Sequence, residues 1–513
     1  MQRREFTCLI SGLAIAASTR AQTPTAAGSG AVEVRAFGAQ GDGVHLDTAA
    51  IQSAVDACAA AGGGAVRFVP GTYRSGTIRL RDRVRLHLDA GATLLGSKDL
   101  ADYPPLVPKL RSFTDTYTDK SLIYAEGLTG AGLEGEGTID GQGASFPGPY
   151  KVRPYLIRFI ECRDVLVRDL ELRNSPMWVQ HYLGCQGVRI SGVRVRSRVN
   201  RNNDGIDIDA SEDVRISGCD IVSGDDAIVL KTTTGRPCRD VVVTNCVLSS
   251  LCNALKLGTE STGGFDNISF DNCAIYDTNL AGIALETVDG AVLERVTISN
   301  IVMRNVQCPI FLRLGNRGRL YTDGAPKPPV GALRNIVIAS VQADGANATG
   351  CPLAGLPDHP IENVTLRDLT LAFHGGGSAA DAPRTIPEEA EKYPEYRMFG
   401  ALPAYGLFAR HIRGLQMENV RCAVQSSDAR PALLCDDVQD LEIGGFRGSP
   451  HGAAPPVRLQ DVEDASLRDL SAQSGALLDV AGARSARIRA DCSPDRVHID
   501  ADVPRGAVVA SGR

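Results

Sequence analysis

Two acidic motifs, Asn202-Asn203-Asp204-Gly205 and Gly224-Asp225-Asp226-Ala227, each run into a short β-forming stretch. The stretches are Ile206-Asp207-Ile208-Asp209 and Ile228-Val229-Leu230-Lys231. If they stack on neighbouring turns of one repeat, Asp204, Asp225 and Asp226 share a single patch of surface. Carboxylates so grouped are what acid/base cleavage of a glycosidic bond requires: one protonates the leaving oxygen while another activates water. Three of them repel one another, so at least one must hold its proton to a higher pH, as a general acid needs. Asn-Asp-Gly and Gly-Asp-Asp also serve as plain turn chemistry. Two such motifs one turn apart, beside Asp207, Asp209, Lys231 and Lys256, favour a site.

The positioning element is a repeat. Short β-rich segments begin at Val165, Val188, Val214, Val241, Ile268 and Val296, spaced 23, 26, 27, 27 and 28 residues apart. Further copies begin at Ile336, Val364, Leu415 and Leu441. Most are followed within two or three positions by Asp, Asn or Gly, a turn signal. A period of this size, with several short strands and no helical stretch between them, predicts an all-β right-handed parallel β-helix (a solenoid). Leucine-rich repeats share the period but not this spacing. A helix is expected from about Thr48 to Ala60, capped by Asp47, with Ile51, Val55 and Cys58 on one face. Strands are expected around 65–68, 76–80 and 84–88. A solenoid's open end is an unpaired sheet edge, so that helix reads as its N-terminal lid.

Setting Gly205, Ala227, Ala254 and Gly282 level aligns four coils. Ile206, Ile228, Leu255 and Ile283 then point inward, and alternation turns their neighbours outward. One outer column reads Asp207, Val229, Lys256, Ala284. The next reads Asp209, Lys231, Gly258, Glu286, with Arg313 one coil on. Asp204, Asp226 and Asn253 stand at the bends, and the preceding coil supplies Trp178 and His181. The substrate-binding candidates are therefore Asn253, Lys256, Lys231, Asp207, Glu286, Arg313, Trp178 and His181. Trp178 would be a sugar platform; the alternation Lys231, Lys256, Glu286, Arg313 also fits a structural salt-bridge ladder.

The flanking regions set the context. Arg3-Arg4-Glu5-Phe6 before an apolar run from Leu9 to Ala17 reads as an export leader over residues 1–21, of twin-arginine or ordinary type. The protein is then periplasmic or secreted. Cap and first coils are expected over 32–100, the catalytic β-helix over 101–480 and its C-terminal end over 481–513. Insertions near 315–331, 344–360 and 374–407 break the period, and the last carries Tyr393, Tyr396, Phe399, Tyr405 and Phe408. A formal charge of −6 on 513 residues leaves no footprint for nucleic acid. No later apolar segment is long enough to span a membrane. The sequence sets no oligomeric state. Of 14 cysteines, Cys219, Cys246 and Cys273 recur at the same place in successive turns, which favours a buried apolar ladder over disulfides. No cysteine pair has metal-site spacing, and carboxylate chemistry needs no cofactor.

The chain resembles the polygalacturonase family of glycoside hydrolases (family 28), right-handed parallel β-helices that hydrolyse pectic polysaccharides with inversion. The likeness runs from Val34–Gly43 through Leu88–Ala92 and Gly135–Gly141 to Asn174–Trp178 and on into the two acidic motifs. It implies Asp225 as general acid and Asp204 with Asp226 as the pair that activates water. It also implies a wide carboxylate separation, about 6.5–9.5 Å, to admit that water. Two departures stand out. Cys252-Asn253-Ala254 replaces a Gly-His-Gly, and Ala284-Leu285-Glu286 replaces the Arg-Ile-Lys whose cations hold a uronate carboxylate. A carboxylate at Glu286 would repel a uronate there by about 1 kcal/mol or more. The expectation is an exo-acting relative with an altered subsite and a plant cell-wall polysaccharide or oligosaccharide as substrate. Either Lys256 and Arg313 hold the carboxylate or the sugar is neutral. The alternatives are a Ca²⁺-dependent lyase with Lys231 or Lys256 as base, and a non-catalytic carbohydrate-binding β-helix.

Overall fold

Valine, isoleucine and leucine at the start of each repeat fit a pleated, half-buried surface, and they stack. Val165, Val188, Val214, Val241, Ile268, Val296, Ile336, Val364, Leu415 and Leu441 are register partners in one unbroken column of parallel strands. All ten are buried. The computed structural model describes residues 31–512 apart from 321–323, 450–453 and 473–474. The expected leader lies outside the described residues. The named strands of the described chain pair in parallel, each with the strand one turn away, and their one α-helix follows the first two of them, Val32–Glu33 and Asp42–Leu46.

The turns between stacked strands explain the Asn, Asp and Gly signals. Asp169, Gly192, Gly218, Asn245, Asn272 and Asn300, two residues past each segment, all have φ between 51° and 63°. Only Gly, Asn and Asp visit that left-handed region cheaply. Their side chains then bond up the stack, as Asn272 Nδ2 donates to Asn245 Oδ1 at 2.6 Å and Asn267 Nδ2 to Asp240 Oδ1 at 2.6 Å. Inside, Ile206, Ile228, Leu255, Ile283 and Ile310 form a second column of fully buried side chains. Each such burial stabilises by about 1.5–3 kcal/mol, so the core grows by repetition.

The helix spans Thr48–Ala60 and buries Ile51, Ala54, Val55 and Cys58. Asp47 stands before it but does not cap it. Its carboxylate accepts instead from Gln40 N at 2.8 Å and Gly41 N at 3.0 Å, folding back the preceding turn. The strand Val84–Leu88 falls where expected, while Gly71–Ser75 was not anticipated. The segment 344–360 is not all insertion: Cys351–Ala354 is an in-register strand between Leu312 and Leu407. Cys219, Cys246 and Cys273 are buried free thiols in successive turns, as are most of the thirteen described cysteines.

Candidate active site

The bend before each strand brings the acidic motifs together. Gly205 sits so close to the next coil that a Cβ would lie 2.5 Å from Ala227 O, which accounts for the glycine of the first motif. Asn203 anchors that turn, donating to Ser175 O at 2.8 Å and Met177 O at 3.1 Å. Register pairing of Ile206–Asp209 with Ile228–Lys231 then sets Asp204 beside Asp226. One oxygen from each of Asp204, Asp225 and Asp226 lies within 4.8 Å of the others. The closest oxygens are therefore nearer than the separation of about 6.5–9.5 Å expected between the carboxyl groups of an inverting pair. Such a cluster could bridge a cation, but two ammonium groups already face it.

Those ammoniums divide the work. Lys231 Nζ lies 3.6 Å from Asp204, 3.7 Å from Asp207 and 3.7 Å from Glu260, over the Trp178 ring at 4.8 Å. Lys256 Nζ lies 3.1 Å from Asp226 and 3.7 Å from Glu286. Burial works against the charge on both lysines. Their carboxylate neighbours outweigh it and hold both well above the usual ammonium range. Burial also pushes Asp226 up, yet Lys256, Lys231 and the Asn253 amide prevail and keep it below the ordinary carboxylate value. Asp204 goes the other way, raised by burial and by Asp225 and Asp207. Asp225 is raised by burial and by Asp226. It is also the most accessible of the three. One cluster thus holds a reachable carboxyl inclined to keep its proton and a buried carboxylate inclined to lose it. These are the two states general acid and general base require.

The expected substrate contacts fare unevenly. Asn253 positions Asp226, donating from Nδ2 at 2.8 Å and from its backbone N at 3.1 Å, while its Oδ1 accepts from Ala281 N at 3.0 Å. Asp207 is fully buried beneath Lys231, with neither carboxylate oxygen hydrogen-bonded. His181 is a core histidine 3.1 Å from Asp209, its pKa lowered to about 4 by burial. Trp178 is not an open platform: Tyr117, Tyr155 and His181 pack its ring. Arg313 is buried and donates to the carbonyls of Gly355 at 3.1 Å and Glu388 at 2.6 Å, so it tethers an insertion. Glu286 is buried against Lys256, and Thr259 Oγ1 donates to it at 3.0 Å. Burial chiefly raises its carboxyl to about 7. Asp207, His181, Trp178 and Arg313, expected from the sequence to touch substrate, are each covered by their own coil or its neighbours.

Residues outside the expected substrate-binding set complete the cleft. The pairing register shifts between Leu230 and Thr232 opposite Leu257 and Ser261, and this bulge swings Glu260 towards Lys231. Gly258 at the bulge has φ 102°, and a Cβ there would lie 2.7 Å from Glu286 O. The insertion after Leu314 delivers Arg317 and Arg319. The insertion after Phe373 delivers Tyr393, 57% exposed, whose OH lies 3.0 Å from Thr259 Oγ1. The other aromatics singled out there, Tyr396, Phe399, Tyr405 and Phe408, are buried and pin the insertion down. Tyr150, 37% exposed and stacked on Tyr117, borders the opposite side.

An all-β stack with a carboxylate cluster at the bends of neighbouring coils defines the class, a carbohydrate-active β-protein, and comparison with known proteins places the chain within it. The sequence model "Glycosyl hydrolases family 28" matches residues 90–389, and "Rhamnogalacturonase A/epimerase, pectate lyase-like" matches 31–98. The chain belongs to glycosyl hydrolases family 28 and is a glycoside hydrolase. It is 29% identical over 380 residues to a probable polygalacturonase of Vitis vinifera, covering 69% of this chain and 76% of that one. It is 27% identical over 290 residues to an endo-polygalacturonase of Pectobacterium carotovorum, covering 52% and 71%. In fold it is similar to an exopolygalacturonase from Thermotoga maritima. The TM-score is 0.61 at 21% identity, with 76% of this chain and 91% of that chain covered. No helix among the described residues is long and apolar enough to cross a membrane.

Proposed function

We propose that the protein hydrolyses a glycosidic bond of a pectic polysaccharide or oligosaccharide with inversion, exo-acting, at a subsite altered by Asn253 and Glu286. The observation that carries the reading is the split within one cluster: Asp225 accessible and raised, Asp226 buried and lowered. Asp225 donates its proton to the glycosidic oxygen as the C–O bond breaks. A water held by Asp204 and Asp226 adds to the anomeric carbon from the opposite face, and its proton passes to the pair, with Asp226 the ionised acceptor. Exo action is supported by the two insertions, which bring Arg319 to Glu260 and Tyr393 to Thr259 beside the carboxylate cluster. The fold reading that goes with it is a right-handed parallel β-helix lidded by the Thr48–Ala60 helix, over the domain limits given above. An export leader makes the enzyme periplasmic or secreted.

The three-oxygen cluster is the one feature favouring a Ca²⁺-dependent lyase. Against it, both candidate lysine bases are held protonated by their carboxylate partners, which is the wrong direction for a base. The test is NMR of products from wild type and Asp225→Ala on uronate-only and on rhamnose- or galactose-containing pectic substrates. Release of an inverted sugar by wild type alone, unaffected by chelator, is expected. A retained anomer would overturn the mechanism. Unsaturated, ultraviolet-absorbing products lost in chelator would establish the lyase, and binding without turnover a non-catalytic protein.

A further inference from the structure

The cations expected in the fourth coil are absent: Ala284 is buried and Glu286 faces Lys256. Lys231 and Lys256 are consumed by the catalytic carboxylates. Arg313 is spent on backbone carbonyls, and Arg153 is buried, with Nη2 donating to Asn202 Oδ1 at 3.0 Å. Two further guanidiniums stand at the cleft beside Glu260 and Thr259. The Arg319 side chain is 31% exposed and that of Arg317 is 17% exposed.

Both are held rigidly. Buried Asp289 accepts from Arg317 Nε at 2.9 Å and from the backbone N of Arg319 at 2.9 Å, so one carboxylate fixes both positions. Arg317 Nη2 also donates to Asp289 Oδ2 and to Thr259 O. Arg319 Nη1 donates to Glu260 at 3.0 Å and to Tyr117 OH at 3.4 Å, with its guanidinium over the Phe113 ring at 4.6 Å. These bonds use Nε and Nη2 of the first arginine and Nη1 of the second. Among the described residues Nη1 of Arg317 and Nη2 of Arg319 take no hydrogen-bond partner, which leaves them for a ligand. Glu260 in turn meets Lys231, and Lys231 meets Asp204, so the pair is joined to the reacting carboxylates by one short chain of charges. Planar donors preorganised at little entropic cost are suited to a carboxylate.

Resting on the hydrolase reading above, we propose that Arg319, with Arg317 beside it, binds the carboxylate of a hexuronate sugar flanking the scissile bond. The 315–331 insertion thereby supplies the clamp that the fourth coil lacks. Uronate recognition has moved from the strand to the loop, and Glu286 is free to serve Lys256.

The experiment compares kcat/KM of wild type, Arg319→Gln and Arg319→Lys on polygalacturonate oligomers and on the same oligomers methyl-esterified at the carboxyl. Wild type should prefer the free acid. Arg319→Gln should cut that preference by roughly 10- to 100-fold, the worth of a charge-assisted bond, mainly through KM. Arg319→Lys should restore part of it, since the charge returns without the fork. An equal loss on both substrates would show a merely structural arginine and overturn the clamp while leaving the hydrolase intact. Cleavage of esterified or neutral sugars alone would do the same. No cleavage of any substrate by wild type would instead remove the hydrolase reading, and the clamp with it.

Discussion

Replacing Glu286 by glutamine should stabilise the protein at pH 8 and do little at pH 5. Burial lifts the Glu286 carboxyl from 4.5 to about 7, in spite of Lys256 at 3.7 Å and the hydrogen bond from Thr259. A folded-state value above the unfolded one means that the native protein keeps a proton which the unfolded chain has already released. The associated stability is fully present below pH 4.5 and is lost as pH rises through 7. At 1.36 kcal/mol per pH unit, the gap amounts to about 3 kcal/mol at pH 8 and under about 1 kcal/mol at pH 5. Glutamine keeps the shape and the neutral state, so Glu286→Gln should recover that amount. Unfolding entropy of about 2.1 cal/mol/K per residue over roughly 480 residues is about 1 kcal/mol/K, which turns 3 kcal/mol into a Tm gain of about 3 °C. Scanning calorimetry of both proteins at pH 5 and pH 8 gives the double difference, in which titrating groups not coupled to Glu286 cancel. A variant less stable than wild type at pH 8, and more so than at pH 5, would refute the reasoning. It would show Glu286 to be an ionised partner that stabilises Lys256.

Lys256→Met removes the cation 3.1 Å from Asp226. The base then protonates more readily, and the acid limb of the kcat/KM profile should move up by about 1–3 pH units; an unmoved limb would take Asp226 out of the base role. Gly258→Ala must force a Cβ against Glu286 O at positive φ. Thermal denaturation should show a loss of about 2 kcal/mol or more, and an unchanged Tm would mean the bulge relaxes freely. Thiol titration without reductant should find all thirteen described cysteines reactive in denaturant but little beyond half-buried Cys252 in the native protein; fewer on unfolding would reveal disulfides.

The repeat was legible because stacking is a local rule applied again and again. A β-rich triplet, a left-handed Asn, Asp or Gly, and a fixed period give the register of Val165 through Leu441 without any long-range information. The same register put Asp204 beside Asp226 and aligned Asp207 with Val229 and Lys256. Alternation, however, says only which way a side chain leaves the strand and not what covers it. Asp207, His181, Trp178 and Arg313 do leave the outer face, yet neighbouring coils, aromatics and an insertion bury them. Asp47 was similarly readable in position but not in partner, because Gln40 and Gly41 compete for its carboxylate.

The amino-acid order by itself determined the stacked β architecture and the carboxylate cluster, which follow from period and residue type; the loss of the fourth-coil cations shows only against the family's motif. Tertiary structure alone decided the charge states and the cleft walls. Glu260 enters through a register shift that no pattern announces. Arg317, Arg319 and Tyr393 come from insertions that follow no period, so only the folded chain shows which face they reach. Whether a carboxyl holds or yields its proton depends on burial and on ammonium groups a few ångströms away. Those distances exist only once the coils have closed on one another.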